Sequence, residues 1–429
     1  RKDVQWSDGK PLKADDFVYS WRRLLSPLTA SSTAYLLFDV DGAKEFHSGS
    51  LTDFGKVGIR ALSDDVLQVR LTKPVAHWIF IPTFWATFPM REDIVNRYGA
   101  GWATPGRMVT LGAFMLTSHD FGADYVFRSN PTYYQKKGNL EQIVAKIVAD
   151  DGEALKLYES GQLDLLSGIS VGDLKKIAGR TDLKNFRYLK TCYLGLQTKA
   201  YPTDNAHLRR AVSMAIDRTG IPALLGGGQI PAQSFVSPGV LGYSQDSGLP
   251  FAPQKAKEEL KLTGIGDPST ITFNILARDI ENERILADYI QGELKKNLGI
   301  TVAVQKRENK NFWLMLDLKQ AQSFISSWGA DFPDPDNFMS IFLSDSGSNR
   351  FSFQNSAYDK LILNARTAQD LHERKVEYMQ AQKILLEQEA IVVPLYYEMN
   401  RALVRDGFTG VNLNPLNYLL LRDVSVNRK

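Results

Sequence analysis

The sequence predicts an α/β protein, on three observations. An amphipathic helix from Glu281, with Leu286, Ile290 and Leu294 on one face, stops at Asn297-Leu298-Gly299, and the apolar residues 300–304 follow at once, which is the helix-to-strand step of an α/β unit. Residues 390–397 are continuously apolar, as in a strand buried on both faces. Between residues 140 and 200 short helical segments alternate with apolar extended ones, among them 144–148 and 163–166.

The remaining elements follow in chain order. Asp15 and Asp16 open a helix on which Phe17, Trp21 and Leu24 recur at helical spacing. Leu67, Val69 and Leu71 alternate after the turn Ser63-Asp64-Asp65, and residues 113–116 and 125–128 flank a second turn at Asp120-Phe121-Gly122. Residues 154–158 read as a helix ending at Ser160-Gly161. Thr203 is placed to cap a helix whose apolar face is Leu208, Ala211, Val212 and Ala215. The uncharged stretch 74–90 is broken by Pro74, Pro82 and Pro89 and is too short to span a membrane. Its His77, Trp78, Phe80, Phe84, Trp85 and Phe88 are expected in a core.

Composition narrows the function. The 429 residues are 44% hydrophobic and 23% charged, ordinary for a globular chain of two or three domains. Fifty-one basic residues against 48 acidic ones give +3, with no run of like charge, so nucleic acid is not an expected partner. Cys192 is the single cysteine, which excludes an internal disulfide, and its strand-like surroundings suit a small core residue better than a nucleophile. No secretory leader is visible and Arg1 opens directly into a strand-like segment, so the chain reads as a mature or truncated product.

Motifs for catalysis are sparse. The five histidines show no metal-binding spacing, and Gly226-Gly227-Gly228 lacks the Lys-Ser/Thr of a phosphate loop. Gly168-Ile169-Ser170-Val171-Gly172 matches a nucleophile elbow, yet no oxyanion motif flanks it and His372 lies far downstream. Asp331-Phe332-Pro333-Asp334-Pro335-Asp336-Asn337 is dense in acids, but two prolines interrupt it and no glutamate closes a calcium loop. A hydrolase using Ser170, or Asp334 with Asp336, is the competing reading; no cofactor, no metal and no catalytic residue are expected.

Four segments carry a resemblance. Residues 4–21, Val-Gln-Trp-Ser-Asp-Gly-Lys-Pro-Leu-Lys-Ala-Asp-Asp-Phe-Val-Tyr-Ser-Trp, resemble an almost unbroken family signature. Asn130-Pro131-Thr132-Tyr133-Tyr134 is similar to N-P-x-Y-W, with Tyr134 where Trp is common. Residues 208–218, Leu-Arg-Arg-Ala-Val-Ser-Met-Ala-Ile-Asp-Arg, resemble V-R-x-A-L-x-x-A-I-D-R, and Trp328-Gly329-Ala330-Asp331-Phe332 looks like W-x-A-D-Y. In this order across the chain they resemble the oligopeptide and dipeptide receptors of ABC importers.

That resemblance implies a bilobal, periplasmic-binding-protein-like α/β fold with an extra small domain, and with its N-terminal part missing. Residues 1–90 would form the small domain, 91–196 with 405–429 the first lobe, and 197–404 the second. It implies a peptide ligand, the membrane permease of an ABC importer as partner, a monomer, and a periplasmic or lipid-anchored location. The strand at 325–329, with Ser327, Trp328 and Gly329, would pair with the ligand backbone, and Asp331 would hold its α-ammonium. Thr191, Tyr193, Tyr396 and Tyr397 are further cleft candidates by position. Relatives can carry an Arg just before the W-x-A-D motif and a pair of cysteines where Lys190 and Gly329 stand. Here residues 322–326 hold no cation, which leaves Arg350 as a candidate for the ligand's carboxylate, and makes a fixed tripeptide length doubtful. Other ligands on the same scaffold, such as a cell-wall peptide or a nickel or haem chelate, and a sensor role, remain alternatives.

Overall fold

The computed structural model describes residues 1–119, 122 and 124–427. The chain divides into two compact units, one of residues 1–154, 404–412 and 419–429, the other of residues 155–403 and 413–418.

In the first unit, strands β1 (Ile59–Ser63) and β2 (Val66–Val69) form an antiparallel hairpin. Strands β3 (Phe114–His119), β4 (Tyr125–Ser129) and β5 (Gln142–Ala145) form an antiparallel sheet; the expected turn at 120–122 lies outside the described residues except Gly122. The signature at residues 4–21 has a structural use here. Helix Ala14–Leu25 begins with a capping box in which Asp16 accepts the Lys13 N–H at 3.0 Å, and the same carboxylate accepts the Trp6 indole N–H at 3.0 Å. Burial raises the Asp16 carboxyl, and those two bonds work against the rise. Asp8 accepts from buried Arg91, and Trp21, 1% exposed, donates its indole N–H to Thr87 O at 2.8 Å. Asn130 works the same way, donating to Gly112 O at 2.8 Å and accepting from the N–H and hydroxyl of Thr132.

One expectation holds only in part: His77 and Phe84 are buried and Trp78 packs edge-on against Trp21, but Trp85 is 57% and Phe88 52% exposed. The segment folds as short 3-10 turns, where neighbouring side chains point in different directions and cannot all face one way.

The second unit is built on one sheet. Its strands are β6 (Leu165–Ser167), β7 (Leu183–Leu196), β8 (Ile230–Pro231), β9 (Thr272–Arg278), β10 (Thr301–Arg307), β11 (Ser323–Gly329) and β12 (Val392–Val404). The order is β10-β9-β11-β7-β12-β6, with β8 on β12. β9 and β10 are parallel, while β7 runs antiparallel to both β11 and β12. Helix Glu281–Leu298 lies between β9 and β10, burying Leu286, Ile290 and Leu294; it ends on Gly299 at φ +74°, a left-handed turn that glycine adopts without strain. The apolar run around 390–397 is buried throughout except for its flanks, as two-sided coverage requires. Alternation along β7 sends Tyr193 to one core, with Phe235, Phe324 and Phe351, and Cys192 and Leu194 to the other, with Ile275, Leu286 and Ile290.

The helix Ala206–Ala215 starts on Asn205, whose side chain accepts the N–H groups of His207 and Leu208, and not on Thr203. The Thr203 hydroxyl is committed to the carbonyls of Gln197 and Ala200. In the same motif Arg218 donates its Nε–H to Pro394 O at 2.7 Å, and full burial lowers its guanidinium to about 10.

Candidate ligand-binding site

β11 leaves β9 after two residues. Ser323 pairs with Ile275 and Phe324 with Leu276, and among the described residues no further pairing joins these strands. On its other side β11 stays paired to β7 from Ser323 opposite Leu196 to Gly329 opposite Lys190. Residues 325–329 therefore present a row of backbone N–H and C=O groups that no described strand occupies, deep in a sheet rather than at its rim.

The chain turns at the end of this row. Ala330 donates its N–H to Leu189 O at 2.8 Å. Trp328 Nε1–H and the Asp331 N–H both donate to Oδ1 of Asn337, each at 3.0 Å. Asn337 is 3% exposed and sits on helix Pro335–Met339, with Pro335 pre-set for the first position and Asp334 capping the Asp336 N–H at 2.9 Å.

Two ion pairs anchor that helix, the first buried and the second with its guanidinium 22% exposed. Asp334 receives Nη1 and Nη2 of Arg374 at 2.9 and 2.7 Å, and Asp336 receives Nε and Nη2 of Arg366 at 2.6 and 3.1 Å. The Tyr378 hydroxyl donates to Asp336, and burial followed by the charges of Asp336 and Asp334 holds it well above its usual range. Asp334 and Asp336 are thus spent on guanidinium groups under the surface, which removes them as a hydrolytic pair. Asp331 is half-buried at the end of the β11 row; its negative charge, after burial, helps raise the nearby Tyr418 hydroxyl.

Residues 1–350 match the family model described as bacterial extracellular solute-binding proteins, family 5. The chain belongs to that family. It is 28% identical to the periplasmic oligopeptide-binding protein OppA of Salmonella typhimurium, over 99% of this chain and 81% of that one. Against the periplasmic murein peptide-binding protein MppA of Escherichia coli the identity is 29%, over 96% of this chain and 79% of that one. The crystal structure of Haemophilus influenzae OppA in complex with RPPGFSPFR is similar at a TM-score of 0.82 and 26% identity, covering 99% of this chain and 86% of that one. The fold is the bilobal α/β fold of these binding proteins.

Within this family 5 chain, the structure gathers Ser327, Trp328, Gly329 and Asp331 at the open row and places the other candidates elsewhere. Trp328, Thr191 and Tyr397 stand in one register row, and Ser327, Cys192 and Tyr396 in the next, so Tyr396 and Tyr397 point to opposite faces. Tyr396 is 1% exposed in the core with Cys192 and Leu194. Thr191 donates its hydroxyl to Phe235 O at 2.9 Å, and Tyr397 donates to Ser234 O at 2.8 Å while accepting from Ser234 N–H. Tyr193 packs against Phe235 at 5.3 Å, its hydroxyl pushed up to about 12 by burial. These four are core side chains, Thr191 and Tyr397 with their hydroxyls bonded, because β7 and β12 run through the middle of a sheet covered on both faces.

Arg350 donates twice to Asp317, at 3.0 and 2.8 Å, and lies over the Trp313 ring at 5.0 Å, so its charge is met within the fold. Ser170 is the N-cap of helix Val171–Lys176: its Oγ accepts the Asp173 N–H at 3.1 Å and donates to the Asp173 carboxylate at 2.9 Å. That closes the nucleophile-elbow reading. The Cys192 thiol is buried and raised to about 12 by desolvation, the opposite of an activated nucleophile.

Sequence reasoning missed Asn337, Arg366 and Arg374. Asp334-Pro335 signals a helix start, and with it a polar residue held inward one position after Asp336, but nothing local points to arginines tens of residues away. The register yields a direct test. Lys190 and Gly329 face each other across β7 and β11, so a chain carrying Lys190→Cys and Gly329→Cys should cross-link under mild oxidation, read as a loss of titratable thiol. A Cβ at Gly329 meets the far end of the Tyr188 side chain first, its hydroxyl at 3.2 Å, which can swing aside.

Proposed function

We propose that the chain is an extracytoplasmic receptor that captures a peptide and delivers it to the permease of an ABC importer. The observation that carries this reading is the unoccupied backbone row of residues 325–329 ending at the Asp331 carboxylate. An extended peptide can add there as a strand through main-chain hydrogen bonds, which take no account of its side chains. Asp331 would then meet the α-ammonium at the start of that strand, a charge-assisted bond that strengthens as water is excluded. Trp328, held by Asn337, supplies a fixed apolar wall beside it. On this reading capture is by lobe closure, a ligand-driven population shift about a hinge.

The relatives support the ligand class: two carry peptide binding in their names, and the Haemophilus protein is seen with a nine-residue peptide. Arg350 is committed to Asp317 and residues 322–326 hold no cation, so neither position fixes a tripeptide length, while Lys190, opposite Gly329, is a cation at the strand's end. The receptor acts as a monomer on the outer face of the cytoplasmic membrane, free in the periplasm or held by a lipid, and performs no turnover. Among the described residues no helix is long and apolar enough to cross a membrane. Native mass spectrometry of the purified protein should show added masses that fragment as peptides. A single non-peptide mass, such as a metal chelate or haem, would overturn the peptide reading, and a murein peptide would restrict it.

A further inference from the structure

We propose that Asn337 is a positioning residue that holds Asp331 and Trp328 in the arrangement a ligand's amino end requires; the proposal rests on the peptide-receptor reading above. One atom does the holding. The indole N–H of Trp328 and the backbone N–H of Asp331 can only donate, so the atom facing both must be the side-chain carbonyl oxygen of Asn337, which takes each at 3.0 Å. These two donors bracket the turn Gly329-Ala330, where β11 ends and the acid begins. A shared acceptor therefore fixes the acid's backbone relative to the last side chain of the open strand.

The acceptor is itself immobilised. Asn337 is 3% exposed on a one-turn helix whose first residues are tied by Asp334 to Arg374 and by Asp336 to Arg366. The ion pairs hold this helix and Asn337 bonds the strand's end, so Asn337 is the link between an anchored base and the site. Without its oxygen, the Asp331 N–H and the Trp328 N–H lose a common partner and the turn can settle elsewhere.

The test compares a short peptide with a free amino end and the same peptide N-acetylated, measured by calorimetry on the full chain. The wild type should prefer the free amine strongly. Asn337→Leu, which keeps volume and removes the acceptor, should lower that preference about tenfold or more, through weaker binding of the free-amine peptide while the acetylated one is little changed. Asn337→Asp, which keeps an oxygen in place, should retain the preference. Asn337→Ser, too short to reach both donors, should lower it too and serves if the leucine variant does not fold. An Asn337→Leu or Asn337→Ser protein that binds with an undiminished preference, or loses both peptides equally, overturns the inference alone. A wild type indifferent to acetylation overturns the amine-capture reading and the inference with it.

Discussion

Asp331→Ala is expected to weaken peptide binding by about 2–5 kcal/mol, tens- to thousands-fold in Kd, while leaving thermal unfolding close to the wild type. The loss exceeds the worth of an ordinary surface ion pair because the ligand's ammonium would be left in a dry site without its counter-charge. The bonds of Asp334 to Arg374 and of Asp336 to Arg366 that anchor the following helix keep both their partners when Asp331 is truncated. Asp331→Asn keeps the shape and should fall between wild type and alanine. An alanine variant that binds peptide as the wild type does removes Asp331 from the proposed role.

Asp334→Ala is expected to act on stability instead, costing about 3–5 kcal/mol in denaturant unfolding. Its carboxylate is 6% exposed and its partner Arg374 3% exposed, so the substitution strands a guanidinium in the interior and also removes the cap of helix Pro335–Met339. The surface pair Arg22–Glu92, with side chains about half exposed, is the control: Glu92→Ala should cost under about 1 kcal/mol. A cost for Asp334→Ala no larger than the control's would show that the pair does not hold the segment behind the site.

Much of the fold was legible because its signals are local. The helix ending at Gly299 and the strand beginning just after it follow from apolar spacing and a left-handed glycine, and both stand where the pattern puts them. The apolar run around 390–397 likewise lies within β12. Where the reading slipped, a distant partner decided. Thr203 resembles a cap, but its hydroxyl turns to Gln197 and Ala200, leaving Asn205 to start the helix. The aromatic residues of 74–90 suggest a core, yet the 3-10 segments Ala76–Thr83 and Trp85–Thr87 scatter them, and Trp85 and Phe88 reach solvent.

The site divides in the same manner. Three of the four family motifs do structural work: Trp6 and Asp16 fasten a helix, Asn130 fastens a turn, and Arg218 ties a helix end to β12. Only the fourth, around Trp328 and Asp331, lies on the open row. Its acids divide again, since Asp334 and Asp336 bond Arg374 and Arg366 while Asp331 lies half-buried at the end of β11. No spacing rule separates them, because the arginines come from helices Leu371–Lys383 and Ser356–Thr367, far along the chain. Residues chosen by neighbourhood in β7 and β12 fared worst for the same reason: alternation and two-sided burial assign each ring to a core before any ligand arrives.

The most direct measurement is a calorimetric cycle with wild type and Asp331→Ala, each titrated with a free-amine peptide and its N-acetylated form. If the acid grips the amine, acetylation should cripple binding to the wild type and make little difference to the variant, giving a large coupling between the two changes. Losses that simply add, with acetylation hurting both proteins alike, would contradict the account.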